Sequence, residues 1–273
     1  MNVKDCFNML IDIGVNLSNK RFADDMEDVL DSACASGVSK MILTGTSLEE
    51  SEAVITLCKK YADKYPGMLY ATTGIHPHDA KSFTPSSIGA LRDLAKQPEV
   101  VAIGETGLDF NRNFSTPSDQ EKAFEAQLEL AAELQLPVFM HERDASTRQR
   151  DILYQYRDHL VDAVIHCFTG DKKGLFDYLD LNLHIGITGW VCDERRGLPL
   201  QKLIRNIPLD RLMIETDAPY LVPRNMPDPP KNKRNQPAFL PWVLKGITVV
   251  REETEEQIAL ATTRNANRFF RLP

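Results

Sequence analysis

Eight short runs rich in Val, Ile, Leu and Met punctuate this chain, and the longer segments between them repeat their apolar residues at helical spacing. The runs predict strands over Met9–Val15, Lys40–Thr44, Tyr70–Ile75, Val100–Glu105, Val138–Glu142, Asp162–Cys167, His184–Thr188 and Arg211–Glu215. Phe22, Met26, Val29, Leu30 and Ala33 form an apolar stripe of the kind a helix buries, and similar stripes fall within 120–135 and 241–250. Gly37, Gly67 and Gly174 stand where helix stops or loops are expected, and Pro137 directly precedes a strand. Strands alternating with helices along a whole chain pair in parallel, each helix crossing back over the sheet. Eight such units predict a single α/β domain over 1–273, a TIM (β/α)8 barrel with all strand C-termini on one face.

Six runs lead to a residue that can bind a metal or a phosphate: Asp12, His76, Glu105, His141, His166 and Asp217. Strand ends bring such residues together though they lie far apart in sequence. The run Val101-Ala102-Ile103-Gly104-Glu105 is the sharpest case, a buried-looking strand that stops at a carboxylate. Six of the 16 prolines fall between Pro223 and Pro241, which forbids a continuous helix and predicts a long loop over the same face.

Composition adds limits. The 273 residues are 42% hydrophobic and 26% charged, ordinary for a soluble globular protein. Five cysteines show no CxxC spacing and read as reduced thiols. Met1 to Asn8 shows no export-leader pattern and no apolar run approaches the roughly 20 residues of a membrane span, so a cytoplasmic protein without membrane contact is expected. A net charge of -7 disfavours indiscriminate nucleic-acid binding but leaves room for a local basic pocket.

Single histidines after apolar runs are more often core or surface residues than ligands. His141 and His166 at equivalent places in successive units, with Glu105 one unit earlier, instead make a set suited to Zn, Mn or hydrated Mg. Asp217 and Glu215 would share one side of a strand if its geometry persisted, where a cation or donors must meet them; an Arg partner or a helix-capping role is the plainer alternative. His76 could protonate a leaving oxygen or touch a phosphate. His78 reads more simply as exposed, and Asp109 as either a positioning group or a turn residue. Arg143, Arg195, Arg196, Arg224, Lys231, Lys233 and Arg234 lie on segments expected near this face, with a solvated surface as the ordinary reading of each. Arg143, two residues after His141, is the best phosphate candidate.

Taken in order, Gly74-Ile75-His76-Pro77, Ile103-Gly104-Glu105-Thr106-Gly107-Leu108-Asp109, Met140-His141-Glu142-Arg143, Ile165-His166-Cys167-Phe168-Thr169-Gly170 and Ile214-Glu215-Thr216-Asp217-Ala218-Pro219-Tyr220 resemble the TatD family of metal-dependent deoxyribonucleases. The resemblance covers about Leu10 to Phe269 and implies a metallohydrolase (amidohydrolase-like) barrel. It further implies a 3'-5' exonuclease acting on the 3' ends of single-stranded DNA, with RNA as a further substrate, and a role in DNA repair or degradation. One or two divalent ions are implied, Mg first and Mn or Zn as alternatives, held by Glu105, His141, His166 and Asp217. Glu105, Asp217 and His76 would be catalytic, and Arg143, Asn16 and Arg224 would contact phosphate. Many relatives carry a His-x-His pair after the first-strand Asp, where this chain has Gly14 and Asn16, so the second metal site is expected to be weak. A monomer is expected. A hydrolase of a small amide, lactone or nucleobase on the same barrel is the alternative, and a barrel that only binds phosphate-rich partners is a third reading.

Overall fold

The structure is a computed structural model that describes residues 10–273. Met9 and the segment Met1–Asn8, on which the reading of the N-terminus rests, lie outside the described residues. Eight parallel strands follow one another around a barrel among those residues: β1 Leu10–Val15, β2 Val38–Leu43, β3 Leu69–Thr73, β4 Val100–Asp109, β5 Val138–Arg143, β6 Ala163–Ile165, β7 His184–Ile187 and β8 Leu212–Ile214. Each matches one predicted run. The helices between and after them are α1 Met26–Ala35, α2 Leu48–Tyr61, α3 Pro85–Leu94, α4 Pro117–Leu134, α5 Ser146–Tyr156, α6 Lys172–Asp180, α7 Leu198–Ile204, α8 Leu240–Thr248 and α9 Glu255–Phe269.

Local chemistry explains the element ends. Ser47, Thr116 and Asp171 cap α2, α4 and α6 by accepting a backbone N–H from the first turn, which satisfies a donor that the helix cannot. Gly37, with φ 85°, follows α1 as expected of a residue that must turn left-handed. Gly174 departs from the reading of a stop: it lies in the first turn of α6, where a β-carbon would stand 3.2 Å from Ser146 of α5. The predicted stripe of α1 faces inward, with Met26, Val29, Leu30 and Ala33 buried; Phe22 is buried in the short 3-10 turn before it.

Two apolar layers result. The larger lies between the sheet and the helices. The smaller fills the barrel itself, built from Ile11, Ile13, Ile42, Ala102, Phe139, Val164 and Met213, with Phe269 and Phe270 of the C-terminal segment packed against it. A filled barrel leaves its chemistry to the C-terminal face.

Neighbouring strands pair along their length except at the seam. Between β1 and β8 a single bridge, Val15 with Ala218, joins the backbones. Side chains complete the closure: Asp12 accepts the Thr216 N–H at 2.9 Å and its hydroxyl at 2.5 Å. Asp12 is therefore a buried mid-strand residue rather than the strand-end ligand that its sequence position suggests.

The fourth strand also differs from expectation. It does not stop at Glu105 but runs on to Asp109, with a shift of register against β5 between Ile103 and Thr106. Gly104 sits inside that irregularity with φ 146°, and a β-carbon there would meet the Phe139 carbonyl oxygen at 2.2 Å. The Gly104–Glu105 peptide is cis. A bulge of this kind re-aims one side chain while the strand continues, and the residue re-aimed is Glu105.

Candidate metal centre

Glu105 lies at the centre of a ring of imidazoles. Its Oε1 stands 2.7 Å from His166 Nε2, 3.1 Å from His141 Nδ1 and 3.3 Å from His76 Nε2, all four residues being buried or nearly so. Each histidine arrives from a different element: His141 from the middle of β5, His166 just past β6, and His76 at the cap of the 3-10 turn Pro77–Ser82. The ligand atoms of His76, Glu105 and His141 lie within 4.8 Å of one another.

The far nitrogen of each ring decides what the near one can do. His166 Nδ1 is 3.2 Å from Glu215, and His141 Nε2 is 3.4 Å from Asp109. Two carboxylates flank each of these rings, and both nitrogens must donate. Burial opposes a charge on His166, yet Glu105 and Glu215 outweigh it and hold its pKa well above the ordinary value. Burial likewise lowers His141, but hydrogen bonds to Asp109 and Glu105 leave it raised. His76 is different. Its Nδ1 accepts the His78 backbone N–H at 3.1 Å, and burial lowers its pKa despite Glu105 nearby. A neutral ring whose Nδ1 is an acceptor carries its proton on Nε2, so His76 presents a donor to the site.

The carboxylates divide in the same way. Glu105 is pushed upward by burial, but the charge of His166 and bonds from His141 and His166 bring it well below the usual range. Asp109 is also lowered: burial acts against this, and bonds from His141, the Arg112 N–H and His78 prevail. Asp217 is raised to about 7, chiefly by burial, with Glu215 and Glu105 adding to the rise against His166 and an Asn16 hydrogen bond. Its φ of 53° and its place three residues beyond the end of β8 show that a left-handed turn, not strand alternation, sets its direction. Asn16 Nδ2 donates to its Oδ1 at 3.0 Å.

His76, Glu105, His141, His166 and Asp217 line a cavity of about 850 Å³, together with Asn16, Arg143 and Trp190. Arg143 reaches Thr169 at 3.2 Å and is otherwise exposed. Arg224 is elsewhere. It forms a two-pronged pair with Glu194, at 2.6 and 2.8 Å, and lines a neighbouring cavity. Its fork holds a carboxylate there, so it does not line the cavity that contains Glu105 and His141. The proline-rich loop lies beside the site: Tyr220 and Leu221, just before it, line the main cavity, while Pro223, Pro229 and Pro230 line the neighbour. Cys167 lines the site, where burial, Asp217 and Glu215 raise its thiol well above the ordinary range and so favour the thiol over the thiolate.

Three participants exceed what the sequence indicated. His78 is not merely exposed: its Nε2 bonds Asp109 Oδ2 at 2.7 Å, and its ring lies 4.3 Å from that of His76. The His-Pro-His spacing was the available signal. Glu215 is fully buried and accepts the Cys167 N–H at 2.5 Å as well as facing His166. Trp190 follows β7 and had no local motif to mark it.

The donor set fits a divalent ion. Loss of the proton that His141 or His166 directs at Glu105 leaves a lone pair there, while the opposite nitrogen keeps its carboxylate partner, the arrangement that orients imidazole ligands in metal sites.

A sequence model of the TatD related DNase family matches residues 11–271. The chain is similar to the 3'-5' ssDNA/RNA exonuclease TatD of Salmonella typhimurium, 50% identical over 261 residues that make up 96% of this chain and 98% of the relative. The enzyme of the same description from Yersinia pseudotuberculosis is 51% identical over 263 residues, 96% of this chain and all of the relative. Among solved structures, a TatD homologue from Escherichia coli superposes with a TM-score of 0.87 at 27% identity, covering 98% of this chain and all of the other.

Proposed function

The chain belongs to the TatD related DNase family, and from that membership we propose that it hydrolyses phosphodiester bonds at the 3' end of single-stranded DNA or RNA, using a divalent ion held by Glu105, His141 and His166. The observation that carries this reading is the convergence of three imidazoles on one Glu105 oxygen in a cavity large enough for a nucleotide.

A bound divalent ion supplies charge neutralisation at the scissile phosphate and a lowered pKa for the attacking water. Asp217 accepts the water's proton, a task suited to a carboxylate whose affinity for a proton is raised to about 7. Asn16 orients it through the bond to Oδ1. His76 directs its Nε2–H, and Arg143 its guanidinium, at phosphate oxygens; neither has to give up a partner of opposite charge other than Glu105. Glu215 and Asp109 keep His166 and His141 in the orientation that turns a nitrogen toward Glu105. Asp217 and Asn16 form a second, weaker cation site with oxygen donors only, Mg being the ion best matched to it and Mn or Zn to the imidazole site. DNA repair or degradation in the cytoplasm, as a monomer, is the setting proposed for this activity.

The test uses a 5'-labelled single strand and its duplex, each incubated with Mg, Mn, Zn or a chelator. Stepwise shortening of the single strand from the 3' end in the metal lanes is expected. Internal cuts would make the enzyme an endonuclease, and metal-independent or absent cleavage would remove the reading.

A further inference from the structure

We propose that the cavity beside the metal centre is a subsite for the part of a single strand that lies 5' to the scissile bond, a reading that rests on the nuclease function above. This cavity, of about 620 Å³, shares Trp190 and Leu221 with the catalytic one, so the two lie side by side and a strand crossing Trp190 would pass from one to the other.

Charge gives that path a direction. The catalytic cavity is lined by six carboxylates against two guanidiniums and a cluster of four imidazoles, and the chain as a whole carries a net charge of -7. Outside the imidazole cluster, carboxylates therefore outnumber fixed cations around a polyanion leaving the site. The second cavity reverses the balance, with five Arg and Lys side chains against Asp193 alone. Arg195 and Arg196 share that one carboxylate, and Arg224 is held by Glu194. Lys231 and Lys233 are exposed and have no ion-pair partner among the described residues. They are the cations free to meet phosphates.

The rest of the lining supplies what bases need. Trp190 and Pro223, Pro229 and Pro230 add flat or apolar surfaces to the same lining as the cations. Stacking surface combined with positive charge is what holds single strands without sequence preference, because every base has a stackable face and every linkage a phosphate. The Arg196 guanidinium lies over the Trp190 ring, 4.5 Å from its centre, and backs one face of the indole with a planar cation. A folded anionic peptide would use the lysines but has no call for this succession of flat surfaces.

The test compares a dinucleotide, which occupies only the catalytic cavity, with a single strand of about twelve nucleotides, which also reaches the second. Wild type and the Lys231→Ala/Lys233→Ala double variant are assayed with metal over a range of salt. The wild type is expected to prefer the longer strand in kcat/KM, and the variant to lose about tenfold of that preference. The slope of log KM against log salt for the long strand should fall by about 1.4, two phosphate contacts at about 0.7 each. An unchanged length preference, or an equal loss on both substrates, overturns the subsite. Binding of the long strand in chelator, read by fluorescence anisotropy, separates the two readings. A wild type that binds through these lysines but cleaves nothing refutes the nuclease function and keeps the subsite; a wild type that cleaves while the variant binds equally well refutes the subsite alone.

Discussion

The carboxylate of Glu215 occupies the space that a side chain at Gly14 would need: a β-carbon on Gly14 would lie 2.3 Å from Glu215 Oε2. Gly186 faces the same carboxylate from β7, at 2.6 Å from Oε1. The lack of a histidine at position 14 and the burial of Glu215 are thus one packing arrangement. Gly14→Ala should cost about 1–3 kcal/mol, the usual effect of overfilling a tight interior, measured by urea unfolding. Unaltered stability would mean that Glu215 can move aside freely.

The histidines should separate by role. His141→Gln and His166→Gln should weaken Mn binding by at least about tenfold in calorimetry, as loss of a ligand or its orientation does. His76→Gln, which removes a donor rather than a lone pair, should keep Mn affinity within about threefold while kcat falls by about a hundredfold. Comparable loss of metal in all three variants would make His76 a ligand.

Glu105→Gln keeps the shape of the side chain but not the charge on which three imidazoles converge. The protein should fold, as judged by circular dichroism, and its turnover of single-stranded DNA should drop by about a thousandfold or more. A folded variant with nearly normal Mg-dependent activity would rule out the centre described above.

Stability of the metal-free protein should fall as pH rises. Burial, against hydrogen bonds from Thr216, raises Asp12 to about 8, and Asp217 is raised to about 7, where the ordinary carboxyl value is 3.8. The folded chain keeps these protons while the unfolded chain releases them, so their contribution is complete below 3.8 and is lost as pH climbs to about 7 for Asp217 and about 8 for Asp12. His141 and His166, raised above 6.5, lose theirs in the same direction above that value. Glu105 and Asp109, both lowered, act oppositely but only on the acid side. Melting in chelator should therefore occur several degrees lower at about pH 8.5 than at about pH 6. Added Mn should stabilise more at the higher pH, since the ion replaces protons on the imidazoles. A flat profile in chelator would show that these groups titrate alike in the folded and unfolded chain.

Strand existence was legible because apolar runs and helical stripes follow directly from which faces a barrel buries; all eight runs became strands. Chemistry at the ends of strands was less so. Glu105 stood out as a carboxylate after an apolar run, but its aim comes from a bulge at Gly104 that periodicity cannot express. Asp12 and Asp217 look alike in sequence, each following an apolar run, yet Asp12 closes the barrel on Thr216 and only Asp217 faces the cavity. Arg224 could not be placed without knowing that Glu194, 30 residues earlier, lies beside it. His78 and Trp190 depend on contacts between separate loops, which leave no local pattern.

The seam between β1 and β8 has a consequence for assembly. Asp12 and Thr216 are separated by 204 positions, as far apart as nearly any partners in this sequence, and Asn16 with Asp217 by 201. Closing so long a loop is entropically costly and favours a late step. Glu105 and its three imidazoles all precede β8, whereas Asp217, the proposed proton acceptor, lies just beyond it. A chain cut short before β8 would retain the imidazole cluster's residues but lack Asp217, so catalysis as proposed here becomes available only once the two ends of the barrel have met.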